Sequence, residues 1–117
     1  MLKRSGAVCV VALAAVATAR ASTDEALFAR YAAAIHAAVT SAWLRPQDTA
    51  PGLSCVLEVE QMPGGDVIRV AIGSPCNADP PTRSSIEQAV MRAAPLPYQG
   101  YEKVFQRNIK FNFKYDG

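Results

Sequence analysis

Apolar residues recur along this chain with two periods, and the switches between them fall where turn-forming residues cluster. Leu27, Tyr31, Ile35, Val39 and the pair Ala42-Trp43 recur every three or four residues, the spacing of one helix face. Alanine fills much of the remainder and is the strongest helix former. Ser22-Thr23-Asp24-Glu25 supplies a start signal. Ser22 with Glu25 fits the S-x-x-E capping box, and the acidic pair suits the positive end of a helix dipole. Pro46 is expected to end the helix, with Pro51-Gly52 in the loop that follows.

The period then becomes two. Leu53, Cys55, Leu57 and Val59 share one face of a strand over Leu53 to Glu60, and Ser54, Val56, Glu58 and Glu60 share the other. Met62-Pro63-Gly64-Gly65-Asp66 has turn chemistry, so a second strand over Val67 to Ile72 predicts a hairpin. Its inward set is expected to be Ile68, Val70 and Ile72, with Val67, Arg69 and Ala71 outward and Gly73-Ser74-Pro75 ending the strand. Cys76 to Pro81 reads as a loop carrying Asp79 and two prolines. A second helix is expected from about Thr82 to Ala94, with Ile86, Ala89, Val90 and Ala93 as a small-residue inner face, stopped by Pro95-Leu96-Pro97. Gly100 to Arg107 fits a short helical turn with Val104 and Phe105 inward. Ile109, Phe111, Phe113 and Tyr115 then alternate with Lys110, Asn112 and Lys114, the clearest strand in the chain.

The order helix, strand, strand, helix, strand predicts an α+β fold, a three-stranded antiparallel sheet with two main helices packed on one face. The other face, with Glu58, Glu60, Arg69, Lys110, Asn112 and Lys114, should meet water. A right-handed crossover over one neighbour would set the last strand beside the first.

The first residues change the charge and cysteine arithmetic. Lys3-Arg4, an uncharged run of 15 residues from Ser5 to Ala19 and the small-x-small site Ala19-Arg20-Ala21 predict a cleavable signal peptide over 1–21 and a mature domain over 22–117. The rival is an uncleaved anchor, for which the run is short. The leader would remove Lys3, Arg4 and Arg20, turning 12 basic side chains into 9 against 10 acidic ones. The apparent basic character then offers no support for a nucleic acid or an anionic membrane as partner. Cys9 also leaves. Cys55 and Cys76 remain, and two cysteines in an exported small domain read as one disulfide, the alternative being two buried free thiols.

Catalytic chemistry is not written in the sequence. His36 is the single histidine and sits in an alanine-rich helix, which suits a hydrogen-bonded or solvent-facing ring better than a catalytic one. One histidine and two oxidised cysteines do not make a metal site. Glu58 and Glu60 share a strand face and are expected to pair with Arg69, Lys110 or Lys114 across the sheet. Gly64-Gly65 is a hairpin turn without a phosphate-binding or dinucleotide fingerprint, and Ser84-Ser85 lacks a nucleophile-elbow context. The expectation is no enzyme and no cofactor. Tyr31, Trp43, Phe111 and Phe113 read as core. The backbone of the last strand is a different matter. At a sheet edge its free N–H and C=O groups are a docking template, and Lys110 and Lys114 either protect it from aggregation or select an acidic or polar strand.

With these residues placed, the chain from about Tyr31 to Tyr115 resembles the C-terminal domain of TolA, within the wider TonB-like C-terminal class. The resemblance rests on Tyr31, Ile35, Trp43 and Pro46, on Cys55, on Pro63-Gly64-Gly65 then Val67, and on Cys76. It continues through "AVMRAAPLP" from Ala89 to Pro97, Phe105, and "FNF" from Phe111 to Phe113. It implies a non-enzymatic periplasmic binding domain of the Tol-Pal cell-envelope type, involved in transport and envelope integrity. The implied partners are TolB-like proteins, with colicins and filamentous-phage attachment proteins as borrowers. It also implies docking by strand addition along Ile109, Lys110, Phe111, Asn112, Phe113, Lys114 and Tyr115. The inner-membrane helix and long helical stalk of TolA have no counterpart in this sequence. A cleaved leader then predicts no stable membrane insertion and an accessory or decoy role. The alternative from another class is a secreted, disulfide-stapled inhibitor or immunity protein sharing the fold, recognising its target through loops such as Cys76–Pro81.

Overall fold

The computed structural model describes residues 23–117. The expected leader, its cleavage site, Cys9 and the capping serine Ser22 lie outside the described residues. Helix α1 covers residues 23–42 and ends four residues ahead of Pro46, where Trp43 N–H still donates to the Thr40 carbonyl at 3.2 Å. Tyr31, Ile35 and Val39 are its buried stripe, and Leu27, a turn earlier, is half-buried.

Strand β1 is Leu53–Gln61, β2 is Val67–Cys76 and β3 is Asn108–Tyr115. Helix α2 spans Pro80–Ala93, and a single 3-10 turn, Glu102–Val104, precedes β3. The sheet order is β2-β1-β3 with both pairings antiparallel, so the last strand lies beside the first. β1 therefore sits in the middle. Its residues Leu53, Cys55, Leu57 and Val59 are buried as the alternation requires, and Phe113 of β3 lies opposite Cys55 in the same layer. Ile86, Ala89 and Val90 of α2 close the core. Each large apolar side chain so buried contributes about 1.5–3 kcal/mol.

The helices divide the sheet between them. α2 packs along β2. α1 lies over β3: the Trp43 ring meets Phe113 edge-on at 4.9 Å, and the His36 ring is 5.8 Å from that of Phe113. The two helices touch where Trp43 Nε1–H donates to Ser85 Oγ at 2.9 Å and Arg92 donates to the Ala42 carbonyl at 2.9 Å.

Three expectations need correction. Ile68 is 51% exposed, whereas Val67 packs against the core. The register explains the exchange. Glu60 faces Arg69 but Gln61 faces Val67, so Ile68 is the extra residue of a bulge and is turned outward. The second strand also does not stop at Gly73-Ser74-Pro75. It continues to Cys76, and a second irregularity between the Leu57–Ile72 and Cys55–Cys76 pairs absorbs the extra residues. Finally, Pro80 and Pro81 belong to α2. Proline suits the first turn, where the amide has no helical partner, and the Asp79 carboxylate caps the helix by accepting from Thr82 N–H at 2.9 Å.

Cys55 and Cys76 face each other across β1 and β2 and are joined by a disulfide. Asn77, the next residue, fastens the same end of the sheet. Its side chain donates to the Gly52 carbonyl at 2.9 Å and accepts from Ser54 N–H at 3.0 Å. The other end is closed by Gly65, whose φ of +94° only glycine adopts readily. A Cβ there would collide with the Leu96 carbonyl, because Leu96 N–H donates to the Gly65 carbonyl at 2.8 Å and draws the two backbones together.

Candidate functional site

An antiparallel sheet of three strands has two edges, and here they are unlike. β2 is kinked by two register shifts and accompanied by α2. The groove between them, of about 790 Å³, has exposed Ile68 and Met91 on its walls together with Arg69, Glu87 and Arg92. Bulges twist an edge away from flat pairing and protect it.

β3 is regular. Eight consecutive pairs join it to β1, from Leu53–Tyr115 to Glu60–Asn108, without a shift. Among the described residues no strand pairs with its outer side. A straight strand held on one side presents a row of N–H and C=O groups that an extended segment can complete. The expected edge residues Ile109, Lys110, Phe111, Asn112, Phe113, Lys114 and Tyr115 are thus brought to one uninterrupted edge.

The two faces of that edge differ in chemistry. On the helix side Phe113 is fully buried, while Ile109, Phe111 and Tyr115 are half-buried. α1 and the residues just after it supply the wall above them. His36 is 6.4 Å from Phe111 and edge-on to it, Trp43 is 5.5 Å from Tyr115, and the Arg45 guanidinium stands 5.1 Å over the Tyr115 ring. His36 is half-buried, its ring packed against Phe111 and Phe113. On the open face Lys110, Asn112 and Lys114 are exposed. The ion pairs among the described residues are Arg69 with Glu60 at 3.7 Å and Lys103 with Asp24 at 3.2 Å, and neither edge lysine takes part. Lys110 stands across from Glu58 beyond ion-pair distance, and Lys114 stands across from Ser54, whose hydroxyl is turned to Asn112 Oδ1 at 3.0 Å.

Among the described residues no three His, Cys, Asp or Glu side chains come close enough to hold a metal ion, and no helix is long and apolar enough to cross a membrane. A hollow of about 230 Å³ beside β1 contains Asp48 and Asp79. Asp79 is already engaged there: hydrogen bonding by Thr82, through its hydroxyl and then its amide, holds the carboxyl below its usual value of 3.8.

One polar residue escaped the sequence reading. Gln61, one residue past the expected strand and the last residue of β1, is fully buried, and its Nε2 donates to Tyr31 Oη at 2.8 Å and to the Gln106 carbonyl at 2.8 Å. Its Oε1 is buried without a hydrogen-bond partner among the described residues. The signal was present in the alternation, since Leu57, Val59 and Gln61 share one strand face. The wall of His36 and Trp43 was likewise readable as two residues seven apart on one helix stripe.

The family model described as TonB C terminal matches residues 28–113. Among solved structures, the chain is similar to the solution NMR structure of TolAIII bound to a peptide derived from the N-terminus of TolB. The identity is 26% and the TM-score 0.54, over 72% of this chain and 71% of that one. No curated protein sequence matches it. TonB and TolA C-terminal domains are non-enzymatic protein-interaction domains. The match to the family model covers most of the sequence, and the three-stranded antiparallel sheet with two helices is the fold of the similar structure, so the chain belongs to the TonB C-terminal family.

Proposed function

We propose that this chain is a periplasmic, non-enzymatic binding domain of the Tol-Pal type that engages a TolB-like protein by adding the partner's strand to β3, along Ile109–Tyr115. One observation carries the reading. The edge of β3 is regular through all its pairs and, among the described residues, unpaired on its outer side, in a domain similar to one solved with a TolB-derived peptide bound. A colicin or filamentous-phage attachment protein would reach the domain through the same strand. Export rests on residues 1–21 as a leader cleaved after Ala21, which the basic start, the uncharged run and the A-x-A site support.

The test has two steps. The full chain is expressed in a Gram-negative cell, and the product's location and intact mass are measured. A periplasmic protein beginning at Ser22, lighter by the two hydrogens of the Cys55–Cys76 bridge, is expected. That product is then titrated with a peptide from the N-terminus of TolB while its backbone amides are followed by NMR. Shifts concentrated on 108–115 are expected. Shifts confined to the β2–α2 groove, or none, would overturn docking at β3.

A further inference from the structure

The reading of β3 as a docking edge leaves open what kind of strand it accepts, and the two faces of the edge restrict the answer. An added strand shares the pleat of β3, so its side chains alternate between the open face and the helix side. On the open face the added strand meets Lys110, Asn112 and Lys114, two exposed cations without ion pairs among the described residues. On the helix side it meets the half-buried Ile109, Phe111 and Tyr115. The α1 residues one turn from His36 and away from the core, Ala32, Ala33 and Thr40, are small and exposed. They leave room for apolar side chains under the helix.

Resting on the strand-docking reading above, we infer that the β3 edge selects segments that alternate acidic and apolar residues. The acids stand opposite Lys110 and Lys114 on the open face, and the apolar residues cover Phe111 and Tyr115 beneath α1. The lysines are four residues apart, so the partner's carboxylates are also four apart, with one open-face position opposite Asn112 and two helix-side positions between them. A like charge opposite an edge lysine is unfavourable and an opposite one favourable. The same pair therefore works as a filter. A second copy of this chain is a poor occupant, because the outward residues within its own β3 are all Asn or Lys, and its nearest carboxylate in sequence, Asp116, lies beyond the strand.

Three synthetic peptides with the same valines at alternate positions, and Asp, Asn or Lys between them, separate the possibilities. Each is titrated into the exported protein at low salt and again at high salt, with NMR amide shifts as the locator. The expected result is that the Asp peptide shifts 108–115 and binds about tenfold more tightly than the Asn peptide, which two favourable cross-strand pairs can supply. The Lys peptide is weaker again. High salt narrows the differences, and a Lys110→Gln/Lys114→Gln variant removes them. Both lysines are exposed, so the variant retains the fold. Equal binding of the Asp and Asn peptides with shifts on β3 would overturn the charge filter and leave strand docking standing. Shifts on β3 from no peptide would overturn strand docking and the filter with it. Concentration-dependent shifts on β3 without any peptide would show a second copy on the edge and overturn the choice of occupant.

Discussion

Trp43 and Ser85 are hydrogen-bonded at 2.9 Å across 42 residues of sequence, and their contact is where α1 and α2 meet. Ser85 uses its own proton on the Thr82 carbonyl at 2.7 Å, so its oxygen is free to accept from the indole. The same indole lies edge-on to Phe113, beneath which β1 and β3 pair. Trp43→Ala is expected to lower the unfolding free energy by about 3 kcal/mol, since the ring is half-buried and packed on an aromatic row. Trp43→Phe keeps an aromatic ring and removes the N–H, at a cost of about 1 kcal/mol. Urea denaturation of both variants checks the ordering. Equal losses would show that the hydrogen bond and not the packing holds the helices together.

Gln61 and Tyr31 form a buried couple whose members depend on each other. Gln61→Leu removes the orphaned Oε1 but strands the Tyr31 hydroxyl and the Gln106 carbonyl, so a loss of about 1–3 kcal/mol is expected. Adding Tyr31→Phe removes one of the stranded groups. The double variant should therefore be more stable than the sum of the single losses predicts. Strict additivity in a double-mutant cycle would show that the two side chains do not interact.

Asp79 gives the domain a dependence on acid. Its carboxyl is held below the ordinary value of 3.8 by Thr82, so its capping contribution is fully present above that value. The contribution is lost as the pH falls through the lowered native value. Asp79→Asn keeps an acceptor for Thr82 N–H and should flatten this acid limb of the thermal stability profile while holding stability at neutral pH. Asp79→Ala should lower the melting temperature at neutral pH by more than Glu87→Ala does on the same helix. Thermal scans between acid and neutral pH settle both points.

The Cys55–Cys76 bridge closes a separation of 21 residues that includes the whole hairpin turn. Its reduction is expected to cost about 3 kcal/mol by the chain-entropy argument. Since β3 pairs with the opposite side of β1, reduction should leave any strand docking on β3 intact at temperatures where the domain stays folded. Denaturant unfolding with and without reductant, paired with a peptide titration, measures the two effects separately.

Legibility in the sequence followed the physics of each element. β1 and β3 could be read because one face of each is buried, which enforces strict alternation. β2 was legible as a strand but not in its facing at Val67 and Ile68, because the outward turn of Ile68 is decided by register against Gln61 and Glu60 and leaves no trace in the local pattern. The start of α2 was readable and was misread. Pro80 and Pro81 looked like loop residues, yet Asp79 three places before Thr82 is a cap signal, and prolines suit the turn after it. The side chains of β3 were legible as an alternating row. Its fitness as an edge came from the contrast between a bulged β2 and a regular β3, and that contrast exists only in the assembled sheet.

The sheet is built from contacts of very different range. β2 joins β1 through the turn at Met62–Asp66, whereas Leu53 of β1 and its partner Tyr115 of β3 are 62 positions apart. Closing the larger loop costs more chain entropy, and such distant pairing slows folding. The β3 edge is therefore the last piece of the domain that loop closure favours. A chain with its hairpin formed and its disulfide closed still lacks the template until β3 arrives. Under the proposed strand docking, occupancy of that edge would mark a finished molecule, and a partner bound there would draw the population toward the finished state as its concentration rises above its Kd.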